Sequence, residues 1–143
     1  YSLFFRFLVM IFISSQYLII FAAIIFSATA IAGSDSPQLT SDQVRSLFTD
    51  KTQYCDQMGK DITCKTYNAA DGRVTRVMDA DGVRRDGNWW VSDTGEYCLR
   101  WNGKKKALCF TVFRQADGSY HLLRKGKHKA TITKMLDGNS ENM

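Results

Sequence analysis

The chain has 143 residues, 45% of them hydrophobic, and carries 19 Lys and Arg against 14 Asp and Glu for a formal charge of +5. That length holds one domain. A charge this mild does not single out nucleic acid as a partner, and its distribution matters more than its size.

Residues 1–32 differ from everything after them. From Leu3 to Ala32 the only charge is Arg6, and the apolar run ends in small residues, where Ala28-Thr29-Ala30 and Ala30-Ile31-Ala32 both fit a small-x-small cleavage pattern. The segment is expected to be a signal peptide cut after Ala30 or Ala32. The rival expectation is a retained anchor, because about twenty apolar residues span a bilayer; only then would the protein be a membrane partner. The chain opens on Tyr1, and a start at Met10 would leave out Arg6, the one basic residue available for a charged n-region.

Residues 33–38 read as a polar linker. At Thr40-Ser41-Asp42-Gln43 a capping box starts a short helix, with Thr40 as N-cap and Gln43 at N3, and Leu39 and Val44 fall where a hydrophobic staple places them. Val44, Leu47 and Phe48 then share one helical face directed at a core.

Beyond Lys51 the pattern is short strands between turn dipeptides: Gly59-Lys60, Asp71-Gly72, Asp81-Gly82, Thr94-Gly95, Asn102-Gly103, Asp117-Gly118 and Gly126-Lys127. These predict eight strands near 51–58, 61–68, 73–79, 86–92, 95–101, 106–114, 119–124 and 129–136. Ala-Asp-Gly recurs at 70–72, 80–82 and 116–118, where it is expected to form three-residue hairpin loops with Gly in the left-handed position. Asp79-Ala80-Asp81-Gly82 lacks the further oxygen ligands and closing Glu of a calcium loop. The expected fold is mainly β: an eight-stranded antiparallel meander over 39–136, closing into a small lipocalin-like up-and-down barrel, with one short N-terminal helix over one mouth and a tail at 137–143.

The cysteines test that register. Cys55, Cys64, Cys98 and Cys109 all follow the leader, and an even count in a short exported domain is expected to be a disulfide framework. A turn at Gly59-Lys60 puts Cys55 directly opposite Cys64. A four-residue loop from Asn102 to Lys105 pairs Trp101 with Lys106 and Cys98 with Cys109, whereas a two-residue Asn-Gly turn misses the cystine. In that register Tyr97, Leu99, Trp101, Leu108, Phe110 and Val112 face a core, and Cys98, Arg100, Cys109 and Thr111 face outward. No metal site or cofactor is expected.

Catalysis finds little support. His121 and His128 have no serine or cysteine nucleophile nearby in sequence, and His121, opposite Phe113, is expected on the outer face. Asp79, Asp81, Asp86 and Asp93 lie in or beside turns, where local hydrogen bonding accounts for them. Trp89, Trp90 and Trp101 are either packing or a stacking surface for a ligand. Alternate turns of a meander share an end. Lys60, Arg84, Arg85, Lys104, Lys105, Lys106, Lys125, Lys127 and Lys129 therefore gather at one end, and Asp71, Asp93 and Asp117 mark the other. A basic rim of this kind attracts lipid headgroups or acidic glycans.

The order of features is a helix opening Leu39-Thr40 and continuing to Val44, an Ala-Asp-Gly turn, Gly87-Asn88-Trp89-Trp90, Tyr97-Cys98-Leu99-Arg100-Trp101 and Cys109-Phe110. Over about residues 39–136 this resembles a family of small exported bacterial envelope proteins of unknown function, in which the Cys55–Cys64 pair is not a recognised mark. The resemblance implies a periplasmic or secreted location and a β fold, and no catalytic residue. Three functions stay open: a non-catalytic domain binding an anionic envelope partner, an inhibitor of an exported protease that inserts residues 33–39 into the enzyme, and a lipocalin-like carrier. A filled barrel would exclude the carrier. An ordered segment before Leu39 would weaken the inhibitor.

Overall fold

The capping box forms as expected and starts α1 (Ser41–Phe48): Thr40 Oγ1 accepts from the Gln43 amide and Gln43 Oε1 accepts from the Thr40 amide. Val44 and Phe48 are fully buried, and the Phe48 ring stacks on Tyr97 with centroids 4.0 Å apart. The helix is held by that apolar stripe more than by its own propensity, since eight residues are too few to be stable alone.

The computed structural model describes residues 36–143, so the expected leader and residues 33–35 lie outside the described part. Eight strands follow the helix: β1 (Lys51–Gln57), β2 (Ile62–Asn68), β3 (Arg73–Met78), β4 (Arg84–Val91), β5 (Tyr97–Trp101), β6 (Leu108–Arg114), β7 (Tyr120–Arg124) and β8 (Lys127–Asp137). Each pairs antiparallel with the next, and β8 returns to β1, closing the barrel. α1 lies against β1 and β4. It leads straight into the start of β1, and so covers the end that holds the β2–β3, β4–β5 and β6–β7 turns. The opposite end carries the β1–β2, β3–β4, β5–β6 and β7–β8 loops.

Both cystines form between directly opposed residues, Cys55 with Cys64 and Cys98 with Cys109. They face opposite ways. Cys55 and Cys64 share the buried inward face of β1 and β2 with Gln53, Thr66 and Asn68, whereas Cys98 and Cys109 lie on the outer face, with Trp90 opposite Cys98 on β4.

Three local expectations need correction. The β5–β6 ladder ends at Leu99–Leu108, so Trp101 and Lys106 do not pair and the loop runs over 102–107. Ala-Asp-Gly closes three-residue loops at 70–72 and 116–118, but at 80–82 it belongs to a four-residue loop, because Met78 pairs with Val83 across residues 79–82. The Asp81 carboxylate accepts from the Val83 amide there, which is local turn chemistry. The residues expected as a tail begin within β8 and then dock on the wall: Gly138 N–H donates to Asp50, Ser140 N–H to Thr52 Oγ1, and Tyr54 Oη to the Glu141 carboxylate.

The segment before the helix is docked too. The carbonyls of Pro37 and Val112 accept from the Arg114 and Leu39 amides at 3.2 and 2.8 Å, and Ser36 Oγ donates to Gln115 at 3.0 Å. This segment covers the stretch of β6 that β5 leaves unpaired.

Candidate functional site

The barrel is filled at its helix end and open at the other. Leu39, Val44, Phe48, Val74, Trp89, Tyr97, Leu99 and Val112 pack the closed half. Across the middle runs a belt of polar groups: Gln53 Nε2 donates to Tyr97 Oη at 3.1 Å, and Tyr97 Oη donates to Asn68 Oδ1 at 2.6 Å. Burial pushes the Tyr97 hydroxyl pKa upward, so the tyrosine stays neutral and can donate. Gln53 Oε1 and Asn68 Nδ2 are buried with no partner among the described residues.

Beyond that belt the lumen opens into a mouth of about 400 Å³. One part of its wall is apolar, from Leu108, Phe110, Leu122 and Ala130 on β6, β7 and β8. Five cations, Lys60, Arg76, Arg85, Arg124 and Lys129, also line it beside neutral residues such as Gln53, Gln57 and Trp101, and none of the described lining residues is acidic. Arg76 sits deeper in the wall than Lys60, Arg85 and Lys129, which are exposed. It is half-buried, its Nε donates to Thr66 Oγ1 at 2.8 Å, and its guanidinium lies 5.0 Å from the Trp101 ring centroid. Burial lowers its pKa and the nearby Arg85 charge acts in the same direction.

The register explains why those two arginines meet. Arg76 on β3 is directly opposite Arg85 on β4, and both share the inward face with Val74, Gly87 and Trp89. Like charges placed directly opposite each other on adjacent strands destabilise a sheet. Lys129 reaches the mouth by a different device. Leu122 pairs with Ala130 and Leu123 with His128, which leaves Lys129 as the extra residue of a β-bulge. Strict alternation would leave it on the outer wall, and a bulge re-aims such a side chain.

The other expected site residues divide by location. Arg84 is turned outward and paired with Asp86 at 3.1 Å, which lowers the Asp86 pKa. Lys104, Lys105 and Lys106 are exposed in the β5–β6 loop, Lys125 is in the β7–β8 turn and Lys127 opens β8, all at the open end. Trp89 is core and donates from Nε1 to the Ala69 carbonyl at 2.8 Å. Trp90 stands on the outer wall, 38% exposed, and Trp101 alone of the three lines the mouth. His121 does face outward opposite Phe113, where it stacks on His128 with centroids 4.0 Å apart.

Sequence reasoning missed Arg76 and Arg124. Arg124 was within reach, since it lies two residues from inward-facing Leu122. Arg76 was masked because Val77 and Met78 follow Val74 and blur the alternation of β3.

A larger outer depression, about 630 Å³, runs along Tyr67, Arg73, Thr75, Arg84 and Asp86. Its arginines are already neutralised, Arg73 by Asp71 and Arg84 by Asp86. That contrast selects the mouth. Among the described residues no group of three or more His, Cys, Asp or Glu side chains is placed to hold a metal, and no helix is long and apolar enough to cross a membrane. The chain matches no family model and no curated protein.

Proposed function

We propose that this is an exported, non-catalytic domain of the cell envelope that binds an anionic partner through the basic, open end of its barrel. One observation carries the reading: five cations line the mouth and no acidic side chain among its described lining residues answers them. The exposed Lys104, Lys105, Lys106, Lys125 and Lys127 extend that field outward. Two closed disulfides belong to an oxidising, extracytoplasmic compartment. The resemblance to small exported envelope proteins points the same way, to the periplasm or the exterior.

The inhibitor reading is disfavoured because residues 36–39 are committed to the barrel's own β6. The test is sedimentation with phosphatidylglycerol-containing vesicles and with an acidic polysaccharide at low and high salt. Each lysine near an anionic surface contributes about 1 kcal/mol, so changing Lys104, Lys105 and Lys106 together to Gln should weaken binding roughly a hundredfold at low salt. High salt should weaken the wild type as well. Undiminished binding by the triple variant would overturn the proposal.

A further inference from the structure

The lumen behind the rim has a chemistry of its own, which deepens the anion-binding reading and rests on it. We infer that the mouth is a single-ended pocket for a small amphiphilic organic acid, whose carboxylate meets Arg76 and Arg85 and whose apolar body lies against Leu108, Phe110 and Leu122.

Arg76 Nε is already bound to Thr66 Oγ1 and the guanidinium lies over the Trp101 indole. What remains is its outer edge, two Nη groups with no hydrogen-bond partner among the described residues. A planar carboxylate fits that edge with two parallel hydrogen bonds. Arg85, directly across the ladder, supplies a second cation to the same head. An anion between them would turn an unfavourable like-charge pair into a clamp. Charges left unanswered in an otherwise consistent sequence are where function is expected.

The apolar side of the pocket decides what is attached to that head. Inorganic phosphate would leave Leu108, Phe110, Leu122 and Ala130 wet, whereas an alkyl or aromatic body would bury them. A volume of about 400 Å³ lies within the range of small-molecule pockets. Gln53 forms part of the lining, fully buried, with Oε1 unpartnered, and offers an acceptor to a hydroxyl or amide on the ligand body. The helix and the core of the closed half stop anything from threading through.

Calorimetric titration of the disulfide-intact protein with decanoate, decanol and inorganic phosphate tests this without any variant. Decanoate should bind at least tenfold more tightly than decanol, and phosphate should not displace it at equal concentration. Equal binding of decanoate and decanol, or no binding of decanoate, would overturn the inference. Arg76→Gln keeps a polar partner for Thr66 and removes the charge; it should weaken decanoate at least tenfold with a Tm no lower than the wild type. Undiminished decanoate binding by a folded Arg76→Gln would also overturn it. The variant with Lys104, Lys105 and Lys106 changed to Gln should bind decanoate as the wild type does. Decanoate binding with no vesicle or polysaccharide binding would overturn only the rim reading; the reverse would overturn only this one.

Discussion

At the scale of single residues, Gly87 and Tyr97 carry more of the structure than their neighbours. A Cβ at Gly87 would sit 2.3 Å from the Arg100 carbonyl oxygen and 2.9 Å from the Trp101 Cα, both backbone atoms that cannot turn aside. Gly87→Ala must therefore push β4 and β5 apart and should cost about 2–3 kcal/mol, read as a lower urea midpoint. The Gly-x-Trp motif thus has a physical basis: Gly87 permits the approach and Trp89, two residues on, fills the core beside it. Tyr97→Phe tests the polar belt. It removes the partner of both Gln53 Nε2 and Asn68 Oδ1, in residues that already carry one unpartnered atom each, and should cost about 1–3 kcal/mol. A stability equal to the wild type would mean that these amides find other partners. Tyr97 was legible as a core residue, because it alternates with Leu99 and Trp101. The belt it anchors was not: nothing in Gln53, Thr66 or Asn68 taken alone distinguishes a buried polar side chain from a solvated strand face.

At the scale of elements, what was readable is what is local. The capping box and the two short Ala-Asp-Gly loops depend on residues within a few positions of each other, and they form as the sequence implies. The third Ala-Asp-Gly loop departs because Met78 rather than Asp79 pairs with Val83, which adds one residue on the β3 side. The bulges of β8 were not legible, since they follow from closing β8 against both β1 and β7 and leave no mark in its own sequence. One of them brings the His121–His128 stack together on the outer wall. Burial lowers the His128 pKa, the His121 charge lowers it further, and the hydrogen bond to the Ala130 carbonyl acts in the opposite direction. The folded state therefore binds a proton at His128 less readily than the unfolded chain. Stability from this site is full above the ordinary histidine value of about 6.5 and is lost as pH falls through it toward the lower folded value. Tm should drop between about pH 7 and 5, above the range where the depressed carboxylates titrate, and His128→Gln should flatten that slope. A slope unchanged in His128→Gln would assign the effect elsewhere.

At the scale of the whole molecule, a closed barrel opens at its weakest seam, and the ladders show which one that is. β1 and β2 share seven residue pairs, whereas β5 and β6 share three, with the Cys98–Cys109 cystine at their centre. Beyond those pairs β6 is completed on that side by the docked residues 37–39. The overall closure was legible through the even spacing of turns, Cys55–Cys64 through hairpin arithmetic and Cys98–Cys109 through the even cysteine count, which chose the register of its hairpin rather than following from it; the open mouth was not, because the filling of a lumen depends on all eight strands at once. The two cystines close loops of similar size, separated by 9 and 11 residues, so loop entropy alone assigns each about 2.7 kcal/mol. Their surroundings differ. Replacing Cys55 and Cys64 by Ala should cost about that entropic amount, since seven ladder pairs still hold β1 to β2. Replacing Cys98 and Cys109 by Ala removes the clamp from a three-pair ladder, so the loss should be larger and localised. In native-state hydrogen exchange the amides of residues 97–99 and 108–110 should then exchange well before those of β1 and β2, through a local opening below the global unfolding free energy. Equal destabilisation by the two double variants, with seam protection retained, would show that the β5–β6 ladder holds without its cystine and that closure is limited elsewhere.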